Sequence, residues 1–213
     1  MRRVVVTGLG IVSSIGINKS EVLESLKSGK SGIEFHQEYS DLGFRSHIHG
    51  SVQVDLEKSI GRKIKRFMGD GAAYNYLAMQ EALIDSQLEE KNIENPKTGL
   101  IVGSGGASTE HIVSMADILR DRGIRKVGPY MVPRTMSSTN SACLATAFKI
   151  KGVAYTISSA CATSAHCIGN SYELIRYGMQ DIVFAGGGES VHWTLTLPLM
   201  PWGPYLLSTM ILH

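Results

Sequence analysis

The sequence predicts a layered α/β fold, and three observations carry that expectation. Short β-branched or apolar runs at residues 3–7 and from Gly99 read as buried strands, and those at 153–157 and 181–185 as further strands. Segments of helical apolar spacing stand between them, two of them closed by Gly29 and Gly178. Strands that alternate with helices along one chain form a single layered architecture rather than separate all-α and all-β parts. With 213 residues, the chain is long enough for one large domain with a real core.

The first strand, residues 3–7, is β-branched and leads into a glycine turn. In "NKSEVLESLKSGKSG", Ser20 is a capping residue, Val22, Leu23 and Leu26 are the apolar positions and Gly29 is a stop, so a short helix is expected. Residues 32–55 have scattered histidines and no period; they read as loop, with a hairpin as the alternative. Phe67, Ala73, Leu77 and Ala82 fall near helical spacing and predict a long helix over 66–82 that extends to Asp85. "TGLIVGSGG" supplies the strand from Gly99 and a glycine turn. Residues 110–122 read as helix, 128–134, with two prolines, as irregular loop, and 137–148 as a closely packed buried helix. A strand over 153–157, a helix over 161–177 ended by Gly178, and a strand over 181–185 leading into "GGGE" complete the series.

A composition of 43% hydrophobic and 19% charged residues with a net charge of +2 carries no polyanion-binding bias, so no nucleic-acid partner is expected. "MRRVVVTGLG" turns to glycine too early for a signal-peptide core, and no apolar run approaches the roughly 18 residues of a membrane span. A cytoplasmic protein without membrane attachment is expected. Cys143, Cys161 and Cys167 are an odd number without a secretory signal and are expected as free thiols. "TGLGIVSSIG" misses the dinucleotide fingerprint: Gly16 comes too late, and no acidic residue follows at the ribose position, so turn glycines are expected. "VGSGGAST" lacks the lysine ending of a phosphate loop; its glycines are expected to let backbone pass close to another segment. His36, His47, His49 and His111 lack metal-ligand spacing and read as exposed loop histidines. No cofactor and no metal are expected.

The most informative stretch is "YTISSACATSAHCIGN", residues 155–170, where a strand gives way to a helix at Cys161. His166 lies five residues on, about 140° around a helix axis, so it cannot form a nucleophile–base dyad with Cys161, and Cys167 fails as a partner for the same reason. In the first turn of a helix, unpaired N–H groups and the helix dipole favour an anion, which raises the thiolate fraction of a cysteine there. The small neighbours Ser158, Ser159, Ala160, Ala162, Thr163 and Ser164 fit a sharp strand-to-helix turn that admits a bulky thioester. Composition favours a small buried cysteine, turn geometry a nucleophile, and the residues alone leave both open.

"GVAYTISSACATSAHCIGN" resembles the active-site stretch of the β-ketoacyl-acyl-carrier-protein synthases, the bacterial type I elongating enzymes in particular. "VVVTGLGIVSSIG", "SGKSGI", "RSHIHGSV", "GPYMVPRTMSSTNSACLATAFKI" and "DIVFAGGGE" resemble the same family in the same order, over roughly residues 1–193. The resemblance implies a thiolase-like fold, two similar α/β halves in α-β-α-β-α layers, with only the N-terminal half present here. It implies a homodimer in which the strand over 153–157 pairs across the two-fold axis. Carried over, Cys161 is the acylated nucleophile, and its own backbone N–H is one oxyanion-hole donor. The implied reaction is the decarboxylative Claisen condensation of fatty-acid elongation. An acyl chain is loaded from acyl carrier protein onto Cys161, then malonyl carrier protein loses carbon dioxide and attacks the thioester. Arg62, Lys63, Lys65 and Arg66 are basic residues that would meet an acidic carrier protein, a solvated helix start being the alternative.

The resemblance ends before the chain does. The family is about twice as long, and its two histidines and supporting lysine for decarboxylation lie in the second half; none is present here. "PLMPWGPYLLSTMILH" departs from the family's approximate Phe-Asp-Ala-Met-Gly-Ala-Leu-Ser-Thr-Lys-Tyr-Asn-Asp. Pro198 to Gly203 requires the codons CCN YTN ATG CCN TGG GGN; read two bases later, these permit Phe-Asp-Ala-Met-Gly, with Ala and Gly forced. The second frame continues without conflict to Ile211. The expected organisation is therefore a synthase half over 1–197 and an out-of-frame tail over 198–213. Such a half exposes the face that the missing half covers, which favours aggregation and inactivity alone. The alternatives are a non-catalytic fragment that associates with carrier protein or an intact subunit, and a thiolase.

Overall fold

The structure, a computed structural model, describes residues 1–106 and 108–198. Helix α1 (Lys19–Ser28) is capped by Asn18 rather than Ser20. The Asn18 side chain accepts from the Glu21 N–H at 2.9 Å, and the Glu21 carboxylate accepts in return from the Ile17 N–H at 2.9 Å, a reciprocal cap. The alternative for residues 32–55 is the one formed: β1 (Ile33–Phe35) and β2 (Ile48–Gly50) pair antiparallel, with α2 (Gln37–Asp41) between them.

Short helices α3 (Leu56–Ser59) and α4 (Arg62–Lys65) precede α5 (Asp70–Ser86), which starts four residues later than its periodicity predicts. Gly69 is extended there, and a side chain on it would stand 2.7 Å from Ser108 Oγ, so tertiary packing ends α4 and restarts the helix. After α6 (Glu90–Ile93) comes β3 (Thr98–Gly103), buried along its whole length, then α7 (Thr109–Arg122). Residues 128–134 are not wholly irregular: α8 (Met131–Thr135) includes Pro133, tolerated because it falls in a first turn with no intrahelical N–H bond to lose. Helix α9 (Thr139–Ala147), β4 (Ala154–Tyr155), α10 (Thr163–Arg176), β5 (Ile182–Gly187) and α11 (Trp193–Thr196) follow.

Strands β4, β3 and β5 make one parallel sheet in that order, with Leu100 beside Ala154 and Phe184. Helices α5 and α9 cover one face, where Leu100 and Val102 pack with Ile60, Met68, Ala72, Ala73, Met79, Cys143 and Leu144. Tyr76 stacks on Phe148 there at 5.0 Å. Helix α10 covers the other face of β3 and β5, turning Thr163, Cys167 and Ser171 inward at four-residue spacing while Ile168 and Tyr172 stay exposed.

Residues 3–7 do not form the expected strand, although they are β-branched. Val5 and Val6 are 61% and 85% exposed. A strand needs a ladder partner, and none of the described strands lies beside this run. The backbone donors that follow it, Leu9 N–H and Ile11 N–H, go instead to the carboxylates of Asp85 and Glu81 on α5, each at 2.9 Å. The expected turn is present further on, where Ser13 and Gly16 exchange two backbone hydrogen bonds.

Candidate active site

Three parallel strand ends converge near Cys161, the part of an open α/β sheet where function usually collects. Past β4, the Thr156 hydroxyl lies 2.9 Å from the Val102 carbonyl and 2.7 Å from Ser141 Oγ, which fixes the exit from the sheet. Residues 160–162 then form a tight 3₁₀ turn directly ahead of α10. Cys161 is thus the middle of this turn rather than the first residue of the α-helix, as the helix predicted over 161–177 would have it. Ala162, with φ of −88° and ψ of −1°, delays the α-helix to Thr163, and Ala160 ahead of it, with φ of 45°, lies in the left-handed region. A non-glycine residue there stores roughly 1–2 kcal/mol of strain. Two bonds hold it: Ser159 N–H to Thr163 Oγ1 at 2.8 Å and Ala162 N–H to the Ser159 carbonyl at 2.9 Å.

The three thiols are free, but only Cys161 is exposed. Burial raises the thiol pKa of both Cys143 and Cys167, keeping them protonated and unreactive. Of the two readings the residues leave open for Cys161, the buried filler is therefore Cys143 and Cys167. His166 is exposed on α10 and makes no hydrogen bond to Cys161, in keeping with the angular separation expected of them.

The glycines of "VGSGGAST" do bring backbones together. A side-chain carbon on Gly103 would overlap the Ile157 carbonyl oxygen and stand 2.6 Å from Thr163 Cγ2; one on Gly105 would stand 3.0 Å from the Ala160 oxygen. The loop after β3 therefore lies directly against the turn that carries Cys161. Asn140, 1% exposed on α9, donates to the Gly103 carbonyl at 2.9 Å and the Gly188 carbonyl at 3.3 Å, holding the ends of β3 and β5 together. Asn140, Ser104 and Glu189 have no place in the sequence reading of the site; "GGGE" was the available signal for Glu189.

Two other expectations change. His36, His47, His49 and His111 are half-buried rather than exposed. The His36 and His49 rings pack at 4.0 Å with their planes tilted by 43°, His47 Nε2 bonds to the Phe44 carbonyl at 2.7 Å, and His111 Nδ1 to Ser108 Oγ at 2.7 Å. Among the basic residues, Arg62, Lys63 and Arg66 are exposed, but Lys65 is only 8% exposed and pairs with Asp70 at 3.2 Å. It is withdrawn from the surface because the α4 turn points it at the start of α5.

The sequence matches the family model "Beta-ketoacyl synthase, N-terminal domain" over residues 1–202. The chain belongs to the β-ketoacyl synthase family. It is 56% identical over 197 residues to 3-oxoacyl-[acyl-carrier-protein] synthase 1 of Escherichia coli K12, covering 92% of this chain and 48% of that protein. A crystal structure of a β-ketoacyl synthase from Burkholderia phymatum STM815 superposes with a TM-score of 0.84 at 25% identity, covering 94% of this chain and 50% of that one. A ketosynthase solved in complex with a type II polyketide acyl-carrier protein matches with a TM-score of 0.70 at 20% identity, covering 87% of this chain and half of that one. The β-ketoacyl synthase chain thus spans about half the length of the curated relatives it matches. Its layered α/β architecture is the N-terminal half of the thiolase-like fold expected from the sequence.

Proposed function

We propose that this β-ketoacyl synthase chain carries the acyl-accepting half of a 3-oxoacyl-[acyl-carrier-protein] synthase, with Cys161 as nucleophile. The observation that carries the reading is the strained, exposed turn at Cys161, against two buried alternatives. The Cys161 thiolate attacks the carbonyl carbon of an acyl-carrier thioester, the Cys161 N–H stabilises the oxyanion, and the carrier's thiolate leaves. In the full-length protein, malonyl carrier protein then loses carbon dioxide, and the resulting carbanion attacks the Cys161 thioester. The carbon–carbon bond forms as the carbon–sulfur bond breaks, and the thiolate returns.

Groups that promote decarboxylation belong, by family resemblance, to the second half of the fold, so the loading step is the one that the residues of this half account for. In this reading, the exposed Ile168 and Tyr172 of α10 offer the second half an apolar face. Strand β4 lies at the sheet edge with Tyr155 39% exposed, which supports the homodimer contact along residues 153–157. Intact-mass spectrometry after incubation with an acyl-carrier thioester tests the reading. One acyl adduct is expected, and a folded chain without an adduct overturns it in favour of a non-catalytic fragment. An adduct from coenzyme A thioesters in preference to carrier-bound ones favours the thiolase alternative.

The acidic carrier protein docks, in this reading, on Arg62, Lys63 and Arg66. The Arg66 guanidinium is held over the Phe67 and Tyr130 rings at 4.9 and 5.2 Å, so its charge is presented in a fixed place. The double variant Lys63→Glu, Arg66→Glu should slow loading from carrier protein about 10-fold at low salt while leaving loading from a small thioester unchanged. Equal effects on both donors would remove the docking role. The tail over 198–213 falls, apart from Pro198, outside the described residues. Its out-of-frame origin is a matter for the encoding DNA, which should read in the second frame as the family stretch; a DNA sequence without that reading refutes it.

A further inference from the structure

We infer that Glu189 is a positioning residue for the Cys161 turn, acting through the loop that follows β3. This rests on the loading role proposed for Cys161. Glu189 lies just past β5, 84 residues from that loop, yet its Oε1 accepts from the Gly105 N–H and stands 2.6 Å from the Ser104 hydroxyl. The hydroxyl has one proton and also lies against the Gly106 carbonyl, so the Gly105 N–H is the donor committed to Glu189 alone. Gly105 faces Ala160 so closely that a side-chain carbon on it would stand 3.0 Å from the Ala160 carbonyl oxygen.

A short chain of contacts therefore runs from the Glu189 carboxylate to Gly105, to the left-handed Ala160 and to Cys161 beside it. A strained residue persists only where its surroundings over-determine it, and the Gly105 backbone is one wall of that confinement. Gly188, next to Glu189, is already tied to Gly103 by a 3.2 Å backbone bond and to Asn140, so the carboxylate projects from a fixed base. What the site needs from position 189 is an acceptor for the Gly105 N–H, not a negative charge. A glutamine carbonyl supplies such an acceptor, and an alanine supplies none.

The test compares Glu189→Ala and Glu189→Gln in the full 213-residue chain. Hydrogen exchange of peptides spanning residues 102–108 reads the clamp: Glu189→Ala should exchange about 10-fold faster at this segment, with Glu189→Gln close to the parent. Loading of Cys161 from an acyl-carrier thioester should fall about 10-fold or more in Glu189→Ala and stay within about 3-fold in Glu189→Gln. Alkylation by iodoacetamide, which forms no oxyanion, should change little in either. Unchanged loading and exchange in Glu189→Ala would overturn the inference, as would Glu189→Gln as impaired as alanine, or loading and alkylation falling together. If the parent chain takes no acyl group, the loading role is what fails; the exchange comparison still decides the clamp.

Discussion

Cys161→Ala is expected to abolish the acyl adduct, whereas Cys143→Ala and Cys167→Ala should keep it wherever the chain stays folded. The contrast follows from where the three sulfurs lie. Cys143 is 7% exposed in the core beside Leu144, and its thiol points to the Phe67 carbonyl at 3.5 Å. Cys167 is fully buried between α10 and the sheet. Burial raises both thiol pKa values, and a protonated thiol is a poor nucleophile. Only the exposed Cys161 can meet a thioester attached to another protein. No compensating residue stands in the turn, since Ser159, Ala160, Ala162 and Thr163 offer no thiol, so the loss should exceed about 1000-fold rather than be partial. An adduct that survives in Cys161→Ala, or that moves to Cys167, would refute the assignment. Intact mass and peptide mapping read both outcomes.

The sheet was largely legible because β3, β4 and β5 are apolar and β3 and β5 end in glycine, while α7 and α10 carry regular spacing. The run over 3–7 misled for the opposite reason: β-propensity reports how a side chain fits a pleated surface, not whether a neighbouring strand exists. The start of α5 was displaced because Gly69 is set by contact with Ser108, 39 residues away, which no local window contains. Within the site, the small residues around Cys161 gave the turn, and the glycines of "VGSGGAST" gave the close approach. The left-handed conformation falls on Ala160, a residue that gives no advance sign of it, because tertiary contacts impose it. Glu189 was visible only as a letter after three glycines. Its meaning lies in two donors on a different strand end, and hydrogen bonds across 84 residues leave no periodic trace.

Gly103→Ala should damage stability and loading together, since one atom position governs both. The added methyl would overlap the Ile157 carbonyl oxygen, a backbone atom that no rotamer change can move, and meet Thr163 Cγ2 at 2.6 Å. Relief requires the end of β3 to separate from the segment carrying Cys161. That separation stretches three bonds at once: Asn140 Nδ2 to the Gly103 carbonyl, the Gly188 N–H to the same carbonyl, and the Thr156 hydroxyl to the Val102 carbonyl. Overpacking with lost buried hydrogen bonds should cost about 3 kcal/mol, read as a lower urea midpoint. A displacement of about 1 Å at the turn should also slow loading about 100-fold in whatever fraction remains folded. Gly169→Ala is the control, because it lies in the same chemistry and the opposite setting. A side-chain carbon on Gly169, in α10, meets nothing within 4 Å, and alanine in a helix is more favourable than glycine by about 1 kcal/mol. The two glycine-to-alanine changes should therefore move stability in opposite directions, and a Gly103→Ala chain as stable as the parent would mean that β3 does not press on the Cys161 segment as described.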